Sequence, residues 1–531
     1  MGQYKILVAI LCLLLNTNTY LDAQPNKDKY RDKKWLAGYC SNCAGTHLSG
    51  WGISQLDFTA NGVDTSTNWW AANFSAASTS LCDTSGNIVA YSNGIRIYDK
   101  NNQIMQGGDS LGYFSDTAYW NGNKKYGSGI LQSNAIILPT PCQDNCSVML
   151  YPKIETSNGL LQGRGIYGAY INTQFNNGLG AVTSKDNLFI ADSIQAPLMS
   201  ACRHGNGRDW WHIAPKYLLG KYYKLLLTEQ GITTPMPQIM TSLPEAVAAG
   251  GIYAAYSADG SQYAHYNAGR GIYIYSFDRC SGNLSNRRFL PTPNNHTFSG
   301  VAFSPNSQYL YLTNLDTIYQ YNTYAADIAA SKTVVWIWDR VRPPLQNYTI
   351  AAFFPQLAPN GKIYISMGPS TGRYYHVINK PNEAGIACNV QQFGLLLPTR
   401  YDNTMPNFPN FRLGALKGSP CDTLGIEAGV TVATSAAPQP ATLRGSLFPN
   451  PADGSLTLGI DPSDNYTYDD NLPSGYAYTL SDVLGRVLRT ESMARERTSI
   501  STAALPNGIY YVSVRRQGRV VFSGKVVVQH E

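Results

Sequence analysis

Charged residues are scarce in this sequence. They make up only 14% of the 531 residues, whereas 12% are aromatic, and tyrosine alone supplies 37 of the aromatic side chains. A disordered chain is rich in charge and poor in aromatic residues, so this composition excludes extensive disorder. It also excludes long exposed helices and coiled coils, whose solvated faces need Glu, Lys and Ala. A chain of this length can bury a large core, and we expect two or more domains.

Basic runs and long apolar runs are also missing. The net charge of +6 is spread along the chain, and we therefore expect no nucleic-acid partner. The apolar run at 6–15 is too short to span a bilayer, but it lies between Lys5 and a polar stretch that ends at Ala23, which is the order of a secretory signal peptide. We predict that residues 1–23 are a signal peptide and that the mature protein is secreted, with no transmembrane span.

Export makes disulfides the expected use of cysteine. Nine cysteines remain without Cys12, which lies in the apolar run, so at least one is unpaired. Cys40 and Cys43 are spaced like half of a zinc site, but no second half follows, whereas Cys142 and Cys146 bracket a short loop and suit a local pair. The histidines lack metal-ligand spacing, and no Gly-rich phosphate loop is present. We therefore predict no metal and no cofactor.

A loose repeat runs through residues 36–415. Its core is a turn followed by alternating apolar and polar residues, the pattern of a hairpin of half-buried strands. The turns lie near residues 86, 145, 207, 260, 307 and 361, roughly 50 residues apart. This period predicts the four-stranded blades of an all-β propeller, because one blade cannot bury its faces alone. With the stretch at 51–58 closing the ring, we predict seven blades; six blades, or an open two-sheet arrangement, are the alternatives.

The sequence changes character after the repeat. Small residues and proline at 416–445 predict an exposed linker, and 446–531 reads as a separate all-β module with three ordered motifs. The prolines of the first motif set an extended backbone, and the glycines of the other two are expected to occupy turns with positive φ. The motif residues are Phe448, Pro449, Asn450, Pro451, Asp482, Gly485, Leu505, Gly508 and Tyr510.

Taken in order at a C-terminus, these motifs resemble the sorting domain of Bacteroidetes type IX secretion (Por secretion system) cargo, with Phe448 where that family usually has Tyr. The resemblance implies a small β-sandwich that the outer-membrane translocon reads and a sortase-like peptidase usually removes. The cargo is then released or linked to the cell surface. A β-sandwich that binds carbohydrate or only adds stability is the alternative.

The repeat region also resembles secreted Bacteroidetes proteins in which a divergent propeller precedes such a domain. The stretches at 201–211, 300–305 and 381–388 carry this likeness. A propeller hosts many unrelated activities, so the resemblance implies an architecture and not a function.

A short polar loop around Gly205 and Gly207 is the one candidate ligand site. If it faces a ligand at a blade edge, the contacting residues are Arg203, His204, Arg208 and His212. The alternative, which we favour, is that Arg208 and Asp209 are structural partners while the two following tryptophans fill the core.

The segment 108–112 matches the Gly-x-Ser-x-Gly pattern of serine hydrolases, with Ser110 as the serine, and 209–212 supplies an Asp-x-x-His pair. Ser110, however, lies in a polar Gly-rich loop and not between a buried strand and a helix, and the α/β alternation of such enzymes is absent. We therefore assign no catalytic residue.

The leading functional hypothesis is a secreted or surface-anchored, non-enzymatic propeller that binds an extracellular glycan or protein. A propeller hydrolase or lyase acting on polysaccharide, and a purely structural surface or matrix component, are the alternatives. Converging carboxylates or histidines at the mouth of the central channel would favour the enzyme, and an apolar or aromatic rim would favour binding. A plugged channel would favour the structural component.

Overall fold

The computed structural model divides into two compact units, Met1–Thr434 and Ser435–Glu531. The predicted signal peptide, 1–23, lies outside the residues that the structure describes. Those residues are 27–39, 50–60, 62–68, 72–74, 77–112, 135–141, 144–157, 160–194, 199–216, 220–240, 252–268, 270–292, 296, 298–342, 351–368, 372–424, 444–461, 471–482, 486–495, 497–516 and 519–530.

Seven antiparallel sheets follow one another along the first unit, and we number them as blades 1 to 7. The strands of blades 1 to 4 are β1 (Lys34–Tyr39), β2 (Gly52–Thr59) and β3 (Gly62–Asn68); β4 (Thr79–Cys82), β5 (Ile88–Ser92) and β6 (Ile97–Asp99); β7 (Ile136–Pro139), β8 (Cys146–Ser157), β9 (Leu160–Asn172) and β10 (Ala181–Ile190); β11 (Ala201–Arg203), β12 (Trp210–Pro215), β13 (Lys221–Thr228), β14 (Gly231–Ile232) and β15 (Met236–Ile239). The strands of blades 5 to 7 are β16 (Ile252–Tyr256), β17 (Gln262–Asn267), β18 (Gly271–Phe277) and β19 (Leu284–Pro291); β20 (Gly300–Phe303), β21 (Tyr309–Asn314), β22 (Thr317–Asn322) and β23 (Thr333–Ile337); β24 (Ala351–Leu357), β25 (Ile363–Gly368), β26 (Gly372–Ile378) and β27 (Val390–Tyr401).

The predicted repeat corresponds to the blades one by one. In blades 2 to 7 each turn signal joins the first strand to the second. The turns need a backbone that most residues avoid: φ is +90° at Gly86, +72° at Gly260 and +62° at Ser307. The Asp83 carboxylate accepts hydrogen bonds from backbone N–H groups in its turn, as expected for a capping residue. The all-β propeller prediction is confirmed, and the described strands of the first unit form seven sheets.

Aromatic residues fill the interior of the blades. Among the described residues, the largest fully buried side chains are all Trp or Tyr, including Trp35, Tyr91 and Tyr311. Tyr222 and Tyr275 join blades 4 and 5 through a hydroxyl–hydroxyl hydrogen bond of 2.9 Å. The tyrosine excess of the sequence therefore belongs to the packing between blades, where a ring gives a large buried area and a hydroxyl that can be paired.

The segment 404–411, which we call the closing segment, lies at the centre of the ring although it belongs to no sheet. Its Asn407 N–H donates to the carbonyl of Ser78 at 2.8 Å, and its side-chain amide donates to those of Ala135 and Met199 at 2.9 and 2.7 Å. These three carbonyls lie just before the first strands of blades 2, 3 and 4. The chain thus returns after its last blade to hold the others together.

The second unit consists of two antiparallel sheets, ordered β28-β29-β32 and β31-β30-β33-β34. Alternating apolar side chains of both sheets form one core, as in a β-sandwich. Its strands are β28 (Arg444–Phe448), β29 (Ser455–Asp461), β30 (Asn471–Asp482), β31 (Val487–Arg495), β32 (Arg497–Ser501), β33 (Gly508–Arg516) and β34 (Arg519–Val528).

One disulfide, between Cys280 and Cys421, is found among the described residues, and it ties the chain beyond the closing segment to blade 5. Cys146 is a free thiol, while Cys142, its expected partner, lies outside the described residues. Cys82, Cys202 and Cys388 are also free thiols. In the described part of the chain, no helix has the length and apolarity needed to cross a membrane.

Candidate functional site

The loop predicted as a ligand site follows β11 in blade 4. Arg203 is 3% exposed, and its guanidinium lies 3.8 Å from the ring centre of Trp210. One of its Nη atoms donates to Asp28 at 2.8 Å and the other to the carbonyl of Arg208 at 3.1 Å. Arg203 is therefore held between the core and a segment that precedes the first blade.

The other three residues of that prediction also have partners within the chain. His204 accepts a hydrogen bond from Asn206 through Nδ1 and donates through Nε2 to the carbonyl of Cys280 at 3.0 Å. Arg208 pairs with Asp209 at 2.7 Å, as the structural alternative proposed. His212 is buried on β12, and its Nδ1 contacts the carbonyl of Ser200 at 2.8 Å. The loop thus brings Arg203, His204 and Arg208 together at one turn, with His212 behind them in the core.

Two further segments of the chain dock on this end of the ring, which we call the turn face because it carries the turns between first and second strands. Asp32, just before blade 1, accepts two hydrogen bonds from Arg412, at 2.6 and 2.7 Å. Arg279 in blade 5 is buried and donates to the carbonyls of Arg203 and Gly414. The segment before the first blade and the segment after the last blade thus both pack at the candidate ligand loop.

Burial and charge balance each other at Asp28. Burial alone would raise the pKa of this carboxyl, but the guanidinium groups of Arg203 and Arg31 outweigh that effect and hold the pKa below its usual value. Arg31 contacts Asp28 at 3.1 Å and also donates to the carbonyl of Cys82. Such buried, paired charges are costly to break, because removing one partner leaves the other desolvated.

The closing segment occupies the position where a propeller usually binds its ligand. Phe408 stacks on Trp35 with ring centres 5.7 Å apart, and its carbonyl accepts from the Gln356 side chain. The segment contains no carboxylate, imidazole or thiol, and only Asn410 is not fully buried. Apart from the Thr404 hydroxyl and the amides of Asn407 and Asn410, its side chains are apolar, so the segment brings no acid, base or thiol to the centre of the ring.

Ser110, the serine of the hydrolase-like pattern, has a φ of +59°. The neighbouring Asp109 is paired with Arg96 at 2.8 Å and accepts from the backbone of Ser110. His212, the histidine of the matching pair, is 1% exposed, and its Nε2 has no hydrogen-bond partner among the described residues. The serine and this histidine therefore form no catalytic pair.

Burial favours the neutral form of three histidines in the blades. It lowers the pKa of His212 to about 4 and the pKa values of His265 and His376 to about 3. Within the described residues, no group of three His, Cys, Asp or Glu side chains is arranged to hold a metal ion.

An apolar surface lies between the outer strands of blades 6 and 7, and we call it the side patch (Trp336, Val341, Tyr374, Phe393 and Leu396). Leu396 on β27 stands opposite Tyr374 on β26, whose ring contacts that of Phe393 at 5.5 Å. Trp336 and Phe393 both pack on the buried His376. Val341 is 56% exposed and Leu396 49%, so the patch presents aliphatic side chains above half-buried rings.

Polar groups border the side patch. Gln392 donates to Asp339 at 2.7 Å, and this hydrogen bond lowers the pKa of the Asp339 carboxyl. The guanidinium of Arg340 lies 4.7 Å from the ring centre of Trp338. An apolar centre bordered by charged and amide groups is the usual composition of a protein interface.

In the second unit, the first and third motifs meet at one end of the sandwich. Asn450 accepts from the backbone of Val527 at 2.8 Å and donates to the carbonyl of Lys525 at 2.9 Å. Asn507 accepts from the backbone of His530 at 2.7 Å, and the His530 ring contacts Asp453 at 2.9 Å. Residues near the C-terminus therefore join the two motifs.

The second motif reaches the same end. Asp482 stands opposite Tyr510 in the pairing of β30 with β33, and its carboxylate accepts from the backbone and side chain of Arg486. Tyr510 is 7% exposed and donates its hydroxyl to the carbonyl of Pro506 at 2.8 Å. We call this region the motif end.

The other motif residues considered are Gly508, Gly485, Leu505 and Phe448. The prediction of positive φ for Gly508 is wrong, because this residue begins β33 with an ordinary backbone. Gly485 lies outside the described residues. The Leu505 carbonyl contacts the His530 ring at 2.7 Å, and Phe448 is 45% exposed at the end of β28.

Comparison with known families decides the role of this unit. The family model described as "Secretion system C-terminal sorting domain" matches residues 446–529. Residues 446–529 are a type IX sorting domain. The chain is therefore secreted cargo of the type IX system, directed to the cell surface or the extracellular space, as the order of its motifs predicted. No curated protein matches the chain significantly.

Solved structures similar to the chain include several propellers. The periplasmic gluconolactonase PpgL of Pseudomonas aeruginosa matches with 11% identity and a TM-score of 0.34, covering 88% of this chain and 98% of that one. PorZ, a surface component of the type IX secretion system of Porphyromonas gingivalis, matches with 11% identity and a TM-score of 0.30, covering 94% and 58%. A β-propeller domain from Myceliophteria thermophila matches with 9% identity and a TM-score of 0.35, covering 64% and 90%. Similarity at this level carries no argument about activity.

Sequence reasoning missed the closing segment and the charged stretch at 27–33. The closing segment gave no strand signal, because it belongs to no sheet and its hydrogen-bond partners lie up to 330 residues away in the chain. The charged stretch gave no signal for a buried role either, because a run rich in Lys, Arg and Asp usually faces solvent.

Proposed function

We propose that the propeller is a non-enzymatic module that binds an extracellular protein through its side patch. The exposure of Val341 and Leu396 beside the clustered rings of Trp336, Tyr374 and Phe393 carries this proposal. Large apolar surfaces on a secreted protein are costly unless a partner covers them. The closing segment supports the same conclusion, since it is largely buried at the centre of the ring and brings no carboxylate, imidazole or thiol there.

A protein partner fits the side patch better than a glycan does. Sugar rings stack on exposed aromatic faces, whereas the rings of Trp336, Tyr374 and Phe393 are half-buried and aliphatic side chains reach the solvent. The polar groups of Asp339, Arg340 and Gln392 would form the rim. Tryptophan, tyrosine and arginine are also the residues that contribute most to protein–protein binding energy.

Site-specific crosslinking tests the proposal. The full chain would be expressed in a Bacteroidetes host with active type IX secretion, with a photoreactive benzoylphenylalanine at position 341. The matched control places the same group at Phe175, which is 53% exposed on blade 3. We expect a protein adduct at position 341 only, and its loss when Leu396→Asp is added. No adduct at 341, or an equal adduct at 175, would contradict the proposal.

The buried closing segment also favours a second function, that of a structural surface component built from copies of this chain. The same crosslink separates the two, because mass spectrometry of the adduct identifies either a second copy or a different protein. Binding on a glycan array that Tyr374→Ala abolishes would instead favour the glycan hypothesis.

A further inference from the structure

The larger sheet of the sorting domain has one face in the core and one face outward. On β33, Tyr510, Val512 and Val514 point into the core, so the residues between them point outward. The pairing of the strands arranges these outward side chains in rows across the sheet. The first row consists of Val487, Ser481, Tyr511 and Lys525, and the second of Ile509 and Val527.

Near the motif end, the outward face is apolar. Val487 is 63% exposed, Tyr511 43% and Ile509 41%. One row farther along, the outward residues of the same strands are Ser513 and Ser523, which pair directly with each other. An antiparallel sheet that faces water is normally polar along its whole outer face, so the apolar half requires an explanation.

The motif residues do not themselves offer free groups for recognition. The Asn450 amide is bonded to the backbone of β34, the Asp482 carboxylate to Arg486, and the Tyr510 hydroxyl to Pro506. These bonds fix where β30, β33 and β34 end. They therefore determine the position of the outward residues beside them.

We infer that this apolar part of the sheet, the sorting face (Val487, Ile509, Tyr511, Val527 and Lys525), is the surface that the type IX secretion machinery binds. The occupant follows from the family, because a sorting domain must be bound by the system that exports it. The sorting face adjoins the end where all three motifs meet, and the motif residues act as positioning residues for it.

The charge on the sorting face indicates what chemistry the partner's surface should have. Lys525 is exposed within the first row, whereas Arg486 at the neighbouring turn is paired with Asp482 at 2.7 Å. An apolar surface that carries the exposed cation of Lys525 fits a protein surface that is apolar with a carboxylate facing that lysine. The machinery component should therefore present such a carboxylate.

An export assay with the full chain tests this inference. The double variant Ile509→Thr/Tyr511→Thr keeps β-forming residues but removes the apolar surface. The matched control is Ser513→Thr/Ser523→Thr, which changes two outward residues of the same strands one row away from the sorting face. Deletion of 446–531 gives the level of complete failure. The exported and periplasmic fractions would be quantified by immunoblot.

We expect Ile509→Thr/Tyr511→Thr to lower the exported fraction at least tenfold, while Ser513→Thr/Ser523→Thr stays within twofold of the wild type. Equal export of Ile509→Thr/Tyr511→Thr and the wild type, or an equal loss in Ser513→Thr/Ser523→Thr, would overturn the inference. Thermal unfolding of the purified variants shows whether the fold is intact. If Ile509→Thr/Tyr511→Thr is unfolded, Lys525→Glu decides: it should lower export with an unchanged melting temperature, and unchanged export would refute the sorting face.

Discussion

The propeller and the sorting domain place their histidines in opposite environments. His212, His265 and His376 are buried in the blades, and burial lowers their pKa values to between about 3 and about 4. His530 lies at the surface of the sorting domain, where hydrogen bonds to Asp453 and to the Leu505 carbonyl raise its pKa. A fall in pH therefore destabilises the folded propeller, whereas it favours the hydrogen bonds of His530 in the sorting domain.

This contrast shows how each unit is held together. The propeller keeps its polar groups inside, neutral or paired, and links residues far apart in the chain: Asp28 with Arg203, and Asp32 with Arg412. The sorting domain uses surface polar groups to shape one end. The long-range pairs of the propeller hold its ring closed. The surface polar groups of the sorting domain fix the shape of its motif end.

The largest effect expected from this contrast is acid destabilisation of the propeller. The three buried histidines titrate near pH 6.5 when unfolded and well below that when folded, so the unfolded chain takes up their protons first. Stability is then complete above about pH 6.5 and is lost as pH falls, with a slope approaching about 4 kcal/mol per pH unit for three protons.

Tryptophan fluorescence in denaturant isolates this effect, because all nine tryptophans precede residue 339 and so report on the propeller alone. His265→Phe should reduce the slope by about a third, since one proton is removed from the balance. For His530 the sign is reversed: its contribution is present at low pH and is lost as pH rises through its folded pKa. A propeller equally stable at pH 4 and pH 7 would show that these histidines are not buried as described.

Next in size is the loss of a buried ion pair. Arg203→Met removes the partner of Asp28 and should lower the free energy of unfolding of the propeller by about 3–5 kcal/mol. Arg164→Met, in blade 3, removes an exposed pair with Glu155 and should cost about 1 kcal/mol or less. Equal costs for the two variants would mean that Arg203 is not held as the structure shows.

A smaller effect is expected at the closing segment. Asn407→Ala leaves the buried carbonyls of Ala135 and Met199 without a donor, which should cost about 2–4 kcal/mol by equilibrium unfolding. Asn410→Ala, which removes a bond to the single carbonyl of Ala258, should cost about 1 kcal/mol. If Asn407→Ala is no more harmful than its neighbour, the closing segment does not hold the blades.

The blades could be predicted from sequence because each is local. A turn, its capping carboxylate and the strands that follow lie within about 50 residues, and the pattern recurs. The closing segment and the charged stretch at 27–33 could not, because their partners are separated by up to 383 residues. Nothing in the sequence near Asp32 indicates that Arg412 will bury it.

The candidate sites divide in the same way. The sorting motifs were predictable because their order is characteristic, but the role of Gly508 was not, since Tyr510 and Pro506 hold the turn without a positive φ. The charge of the loop at Arg203 suggested a ligand site, but in the structure the Arg203 guanidinium is paired with Asp28. The side patch has no local motif, because its residues come from two different blades, on or near β23 in one and on β26 and β27 in the other.

Removal of residues 446–531 tests most directly the claim that one unit folds as a closed ring and the other delivers it. The truncated chain would be expressed with its N-terminus intact in a secretion-competent Bacteroidetes host, and both its location and its tryptophan-reported unfolding would be measured. We predict that it is retained in the periplasm and unfolds at the same denaturant concentration as the propeller of the full chain. Truncated protein at wild-type levels on the cell surface or in the medium, or a propeller that no longer folds, would contradict this account.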